Sequence, residues 1–482
     1  MKRMNDVQDD IVRTLEHAAA QAIAHRRAAA NPVQPRKGSY REILASLDGP
    51  APELSTDPLA VIDELISRSE PGLQPVTGPR FFGWVIGASH PVGVAADWLT
   101  AAWGQNAANH VAAPAAAAVE AIAARWLLDL MHLPAEASVG FVTGATAANF
   151  VCLAAARSEM LRRSGWDAEN NGLFGAPPIN VVLGLDAHTT VFSALQFLGL
   201  GRARVIRVAT DDAGRMIPTS FTSAIASCSG PTIAIAQAGQ INTGAFDPIR
   251  ELAAIAHAHG AWLHVDGAFG LWVRASATRA ALADGAEAAD SWAVDGHKWL
   301  QVPYDCGYAI VRDPIAHRRA MAIAASYLPP AIDGERDPSQ FVPELSRRAR
   351  GFATWAMIRH LGRAGISEMI EEHCDLAAQM AARLAAEPGA HVLNDVTLNQ
   401  VLVRFGTSAV DCDADRLTEA TIARIQSNGE CFVGGARWRD RWVMRLSLIS
   451  APMNRTQIDR AADAICAAWR SVIGTSATAG ET

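Results

Sequence analysis

Between residues 136 and 315, short apolar runs alternate with segments of helical periodicity, and this constrains the chain more than any other feature. The runs are Gly140–Thr143, Val181–Leu185, Ala203–Val208, Thr232–Ala236, Ala261–Val265 and Gly307–Val311. Each has the length of a strand. Strands joined through helices are expected to run parallel, because a parallel crossover needs a dozen or more residues. The expected fold class is therefore α/β, with a mainly parallel sheet covered by helices. Such sheets bind ligands beyond the carboxyl ends of their strands.

The flanks read differently. Residues 1–30 form an Ala-rich helical pattern with Val12, Leu15, Ala18 and Ile23 near helical spacing, and residues 31–80, rich in Pro, Gly and Ser, read as an extended arm. Helix is expected over 93–135, interrupted at Pro114, and a long polar loop over 320–347, of the kind that often serves as a lid. Helices follow over 350–387. Strands near His391–Leu393, Gln400–Phe405, Cys431–Gly434 and Trp442–Ile449, then a helix over 455–473, suggest a small α+β domain, and the tail from Gly474 should fray. The division expected is an arm (1–95), a large domain (96–350) and a small C-terminal domain (351–482).

Composition narrows the function. The 482 residues carry a net charge of −7, which argues against a general nucleic-acid or membrane-surface binder. No run of about 18 apolar residues reads as a membrane span, and the N-terminal stretch lacks a signal peptide's apolar core. Seven scattered cysteines without a CxxC pair fit reduced thiols in a cytoplasmic protein.

Only three residues are lysines: Lys2, Lys37 and Lys298. All other basic side chains beyond residue 37 are arginine or histidine. Unlike a guanidinium, an amine can lose its proton and attack a carbonyl. Lys298 lies in Asp295-Gly-His-Lys-Trp-Leu-Gln-Val-Pro-Tyr-Asp-Cys-Gly307, 32 residues after Asp266, the acid that ends the run Trp262-Leu-His-Val-Asp266. A lysine and a strand-end acid in one cleft suit pyridoxal phosphate (PLP). The lysine makes a Schiff base with the aldehyde, and the acid keeps the pyridine nitrogen protonated so that the ring accepts electrons. Gly140-Phe-Val-Thr-Gly-Ala-Thr146 offers a phosphate cradle, with small residues leading into a helix N-terminus near Thr146. Taken alone, a plain threonine N-cap would explain that motif, a turn aspartate would explain Asp266, and a structural imidazole would explain His188, which follows the run ending near Leu185.

Together these residues resemble the group II pyridoxal-dependent decarboxylases of fold type I, which include aromatic amino acid, glutamate, histidine and diaminobutyrate decarboxylases. The resemblance spans roughly residues 55–470. It rests most on Trp262-Leu-His-Val-Asp-Gly-Ala268 and His297-Lys-Trp299. Asp290-Ser291, Asp305-Cys306, Gly244-Ala-Phe-Asp-Pro-Ile249, Pro79-Arg-Phe-Phe-Gly-Trp84, Val443-Met-Arg-Leu446 and Gln457-Ile-Asp459 support it. It implies the PLP-dependent transferase fold with a seven-stranded sheet and decarboxylation of an L-amino acid to the amine and carbon dioxide. Lys298 would bond the cofactor, Asp266 would pair with the ring nitrogen, Ala268 would lie against one ring face and His188 on the other. Ala145, Thr146 and His297 would serve the phosphate. Asn242 and Thr243 would line the cofactor edge, and Asp295 stands where such decarboxylases often have Asn. Arg445 would hold the substrate's α-carboxylate and Trp84 would line the side-chain pocket. Asn109 and His110 would reach that pocket from a second subunit, which makes a homodimer the expected assembly. The loop Ala331–Gln340 is short and has no tyrosine, Tyr327 preceding it, whereas aromatic amino acid decarboxylases carry a loop tyrosine that helps protonate the substrate carbon. Some relatives without it produce aldehydes oxidatively, so aldehyde formation and amino-group transfer stand as alternatives.

Three other readings find little in the residues. Gly199-Leu-Gly201 lacks the third glycine of a dinucleotide-binding turn. His257, His259 and His264 would have to converge for a metal hydrolase, yet two of them sit at a helix end and the third in a strand, so no metal is expected. A non-catalytic PLP-binding scaffold would be coloured but inert.

Overall fold

The computed structural model describes residues 4–29, 38–322, 335–407 and 413–479. Seven strands form one sheet: β1 (Ser138–Val142), β2 (Asn180–Gly184), β3 (Ile206–Val208), β4 (Thr232–Gln237), β5 (Trp262–Asp266), β6 (Ser291–Asp295) and β7 (Gly307–Val311), in the order β1-β7-β6-β5-β4-β2-β3. β7 runs antiparallel to both β1 and β6, and the remaining pairs are parallel. The strands are nearly continuous apolar runs because both faces are covered. Within β4, Ile233 and Ile235 join one core cluster while Ala234 and Ala236 join the other, as the two-residue side-chain period requires. The helix α6 (Ala145–Arg163) packs Ala148, Val151, Cys152 and Ala155 on the first face.

A second sheet, β10-β11-β9-β8, is antiparallel throughout: β8 (Ala390–Val392), β9 (Gln400–Phe405), β10 (Gly434–Trp438) and β11 (Arg441–Ser447). The helix Gly351–Ala385 joins the two cores. Met357, Ile358 and Ile366 bury against the large sheet's cluster, and Leu376, Met380 and Leu384 against the small sheet's. The helix breaks at Gly362, whose φ of +61° is accessible to glycine at little cost.

Three expectations need correction. The segment read as an extended arm contains two helices, Tyr40–Leu47 and Pro58–Ser69. The first is started by a capping box, in which Ser39 Oγ accepts from Glu42 N–H (3.3 Å) and Ser39 N–H donates to Glu42 Oε2 (2.6 Å). The second is capped by Asp57 with Pro58 at its first position. Strand β6 was not foreseen at all. The strand expected at Cys431–Gly434 begins at Gly434 instead. Phe432 pairs with the 80–82 segment, donating its N–H to Arg80 O (3.0 Å) and accepting from Phe82 N–H (2.8 Å).

Three histidines are buried as neutral acceptors or donors. His264 bridges Asn149 Oδ1 (2.8 Å) and Ser291 Oγ (2.9 Å), His317 bridges Phe341 O (2.9 Å) and Ser138 Oγ (2.8 Å), and His373 Nδ1 accepts from Trp299 Nε1 (3.1 Å). Burial pulls their pKa values down to about 3, 3 and 4 respectively. Unfolded histidine takes its proton near pH 6.5, so stability is complete above that pH and falls as the pH drops towards the folded values. Each imidazole then costs about 2 kcal/mol at pH 5 relative to pH 7. Urea unfolding at both pH values is expected to show a clearly lower midpoint at pH 5, and an unchanged midpoint would contradict this reading.

Candidate active site

The sheet topology turns the carboxyl ends of β1, β2, β4, β5 and β6 to one side, and the loops leaving them carry the residues singled out above. Asp266 ends β5 and Asp295 ends β6. The two strands pair in register, with Asp266 opposite Ala293, which sets both acids at the same rim. After β6 the chain folds back, and the N–H groups of Gly296 and His297 both donate to Cys306 O (3.1 Å each). This turn aims Lys298 into the cleft, where Nζ lies 2.8 Å from Asp295 Oδ2 and the side chain is 17% exposed.

The segment 84–90 crosses directly over the lysine's backbone. A Cβ on Gly87 would collide with the carbonyl oxygens of His297 and Lys298. Trp84, Val85 and Ser89 take positive φ values of 55°, 60° and 54°, and Gln301 one of 61°. Each such non-glycine residue costs on the order of 1 kcal/mol or more, which only firm surrounding contacts can sustain. Gln301 supplies them: its Oε1 accepts from Ala88 N–H (3.3 Å) and Ala451 N–H (3.0 Å), and its carbonyl accepts from His90 N–H (2.8 Å).

Asp266 is 4% exposed, and the hydrogen bond found for its carboxylate is from Ala268 N–H at 3.3 Å. Burial raises its pKa, while His188 and Lys298 oppose the rise. His188 caps the helix Thr189–Phe197; Nδ1 accepts from Thr190 Oγ1 (2.8 Å) and from Thr190 N–H (3.4 Å), which leaves the ring proton on Nε2. Burial lowers its pKa, Asp266 opposes this, and Lys298 and Arg445 add to it. The imidazole is therefore neutral near pH 7.

The cradle at β1–α6 also forms. Gly144 precedes α6, and the first intrahelical acceptor is its own carbonyl, bonded by Ala148 N–H (2.9 Å). The earlier N–H groups thus face the cleft. A Cβ on Gly144 would lie 2.8 Å from His297 Cε1 and 3.1 Å from Asp295 Oδ1, so the turn requires glycine. Thr146 is exposed at the mouth. His297 Nδ1 accepts from Cys306 N–H (3.2 Å), which places its proton on Nε2, 3.4 Å from Asp295 Oδ1. These groups fit PLP: a buried acid with no ion pair among the described residues would suit the ring nitrogen, a reachable amine the aldehyde, and a glycine-floored helix N-terminus the phosphate.

The cleft edge holds Asn242 and Thr243, organised by Gln240 Oε1, which accepts from their N–H groups at 2.5 and 3.1 Å. Thr243 Oγ1 is spent on Ala213 O (2.6 Å). Arg445 Nη1 donates to Asn242 Oδ1 (3.3 Å), burial lowers its pKa, and no carboxylate among the described residues lies within ion-pair distance. Three residues are not brought to Lys298 by this chain. Trp84 is 54% exposed against Phe81 and Phe432, Asn109 Oδ1 accepts from Ala112 N–H (2.8 Å), and His110 sits between Asp337 (2.7 Å) and Glu335 (2.5 Å). Tyr327 and residues 331–334 lie outside the described residues. The three histidines of the metal reading diverge: His257 pairs with Asp290 (3.0 Å), His259 donates to Ile255 O (2.9 Å) and His264 is in the core.

Sequence reasoning missed Gln301, Gln240 and Arg439. Arg439 sits at the β10–β11 turn and reaches Asp186 (3.3 Å), Asp212 (3.3 Å) and the carbonyl of Asp211, bracing the loop that carries His188. An amide or acid just past a strand end was the signal available for Gln240 and Asp186; nothing local marks Gln301 or Arg439.

Comparison with known proteins agrees with the geometry. The pyridoxal-dependent decarboxylase conserved domain matches residues 42–406. The chain is 27% identical over 409 residues to an aromatic-L-amino-acid decarboxylase of Bacillus atrophaeus, covering 83% of each chain. It is 28% identical over 438 residues to an L-2,4-diaminobutyrate decarboxylase of Rhizobium meliloti, covering 88% of this chain and 84% of the relative. It also matches a 4-hydroxyphenylacetaldehyde synthase of Rhodiola rosea at 24% over 442 residues (89% and 88%). In fold it superposes on the Oryza sativa TDC structure with PLP and tryptamine with a TM-score of 0.87, at 23% identity, covering 96% of this chain and 98% of the other.

Proposed function

The chain belongs to the pyridoxal-dependent decarboxylase family, and from that premise we propose how its own residues remove the carboxyl group of an amino acid. The enzyme is a PLP-dependent amino acid decarboxylase. Bound PLP supplies a protonated ring that accepts the electron pair released when the Cα–carboxylate bond breaks. Lys298 Nζ would provide the amine that holds the cofactor through its aldehyde. Asp266 holds the proton on the ring nitrogen. His188, neutral and fixed at Nδ1 by Thr190, covers a ring face without adding a competing charge. Ala145, Thr146 and His297 take the phosphate. Arg445 would grip the α-carboxylate and fix its rotation. The net reaction would release carbon dioxide and place a proton from solvent on Cα, giving the primary amine.

The observation that supports this reading is the meeting of Lys298, Asp266 and His188 on the loops and ends of strands of one sheet, with Asp266 and Lys298 acting in opposite senses on His188. A panel of amino acids, with mass-spectrometric detection of amine, aldehyde and keto acid, tests it. Amine with stoichiometric carbon dioxide is expected, whereas aldehyde with oxygen consumption, or keto acid, would replace the reading. Arg445→Met should lower kcat/KM about 10²-fold for every substrate on the panel, the loss of one charge-assisted pair in a desolvated site. An unchanged kcat/KM would remove Arg445 from carboxylate recognition.

The working unit is a homodimer. Large apolar side chains of the N-terminal helices are exposed, among them Leu15, Trp98, Leu99 and Trp103. Asn109 and His110 then serve a neighbour's pocket. Sedimentation should return twice the chain mass of 51.1 kDa, and a monomer with full activity would contradict this. No helix of the described residues is long and apolar enough to cross a membrane, and all six described cysteines are free thiols. Both fit a cytoplasmic enzyme.

A further inference from the structure

The N-terminus of α6 is already in contact with an anion supplied by the chain itself. Ala145 N–H, the first donor of that helix, gives its hydrogen to Asp295 Oδ1 at 2.5 Å. Asp295 is 2% exposed, so its carboxylate has no access to bulk water. Its other oxygen faces Lys298 Nζ at 2.8 Å, and His297 Nε2 stands 3.4 Å from Oδ1. The remaining titratable groups acted on by Asp295 are Asp266 on β5, His188 after β2, and Tyr304, Cys306 and Tyr308 around β7. Lys298 and the α6 N-terminus therefore balance the charge of Asp295 from within the chain. An amide at this position would offer a phosphate a donor, whereas a carboxylate offers only acceptors, in a buried setting where like charges repel strongly.

We propose that Asp295 competes with the cofactor's phosphate for the α6 N-terminus, so that this chain takes up PLP by exchanging one anion for another there. Asp295 is then a determinant of cofactor retention, and the wild-type enzyme binds PLP more weakly than its cradle would otherwise allow. This inference rests on the PLP reading of the site.

The test compares apo wild type with Asp295→Asn, titrating each with PLP and, separately, with pyridoxal, which has the aldehyde and ring but no phosphate. Dissociation constants are read from visible absorbance, and the fold of each protein from its circular dichroism melt. Asp295→Asn is expected to bind PLP at least about tenfold more tightly while its pyridoxal constant stays within about twofold of wild type. Equal or weaker PLP binding by Asp295→Asn overturns the proposal. Equal tightening towards both probes overturns it as well, because the effect would then come from releasing Lys298 and not from the phosphate seat. Asp295→Ser, shorter and also neutral, is read the same way if the Asn variant does not fold. Failure of the wild type to bind either probe would instead sink the PLP reading itself.

Discussion

Lys298→Ala is expected to leave a folded, colourless protein whose turnover is lower by at least about three orders of magnitude, because the amine that bonds the cofactor is gone. Fold should survive, since Lys298 is partly exposed at the cleft and belongs to no core cluster. The more discriminating variant is Lys298→Arg. A guanidinium keeps the positive charge beside Asp295 and the bulk of the side chain, yet it does not lose its proton near neutral pH. If the lysine mattered only as Asp295's ion-pair partner, arginine would restore function. The account expects Lys298→Arg to be as inactive as Lys298→Ala, and an active arginine variant would remove the covalent role.

Asp266→Asn is expected to lower kcat/KM roughly 10²- to 10³-fold. A carboxylate close to a ring nitrogen shifts that nitrogen's protonation by 1–3 units, and each unit is about tenfold in the population of the electron-accepting form. The sign of the stability change separates this role from a structural one. Asp266 is buried, burial raises its pKa, and its hydrogen bond to Ala268 N–H is long. Removing its charge from the apo site should leave the melting temperature unchanged or raise it, as is common where an active site holds a destabilised group. A structural aspartate would show the reverse, with activity and melting temperature falling together. PLP affinity should fall with the rate.

Much of this was readable before any coordinates. Strands such as Thr232–Gln237 and Gly307–Val311 are short apolar runs flanked by helical sequence, and the sheet they build is the expected one. Asp266 was legible because it ends the apolar run Trp262–Asp266, and Lys298 because it is one of only three lysines, and the pairing of β5 with β6 brings their two sequence-distant loops to one rim. Strand β6 escaped because Ser291–Asp295 holds only three apolar residues, Trp292, Ala293 and Val294, between polar ends. The helices at 40–47 and 58–69 escaped because an averaged Pro, Gly and Ser content outweighed the local capping signals at Ser39 and Asp57. What sequence alone does not reveal is long-range bracing. Gln301 reaches Ala451 150 positions away and Arg439 reaches Asp186 253 positions away. Those contacts arise only when loops of the two sheets are packed together. The reading of Asn109 and His110 needs a second copy of the chain, and in a single chain their side chains are occupied locally or with Asp337 and Glu335.

The central claim is a covalent bond between PLP and one particular amine. Borohydride reduction of the purified, PLP-loaded protein, followed by proteolysis and mass spectrometry of the peptides, tests it most directly. With only three lysines in 482 residues the outcome is unambiguous. The account predicts a phosphopyridoxyl mass on the peptide containing Lys298. A label confined to Lys2 or Lys37, or no label on a protein shown to be folded, would contradict it.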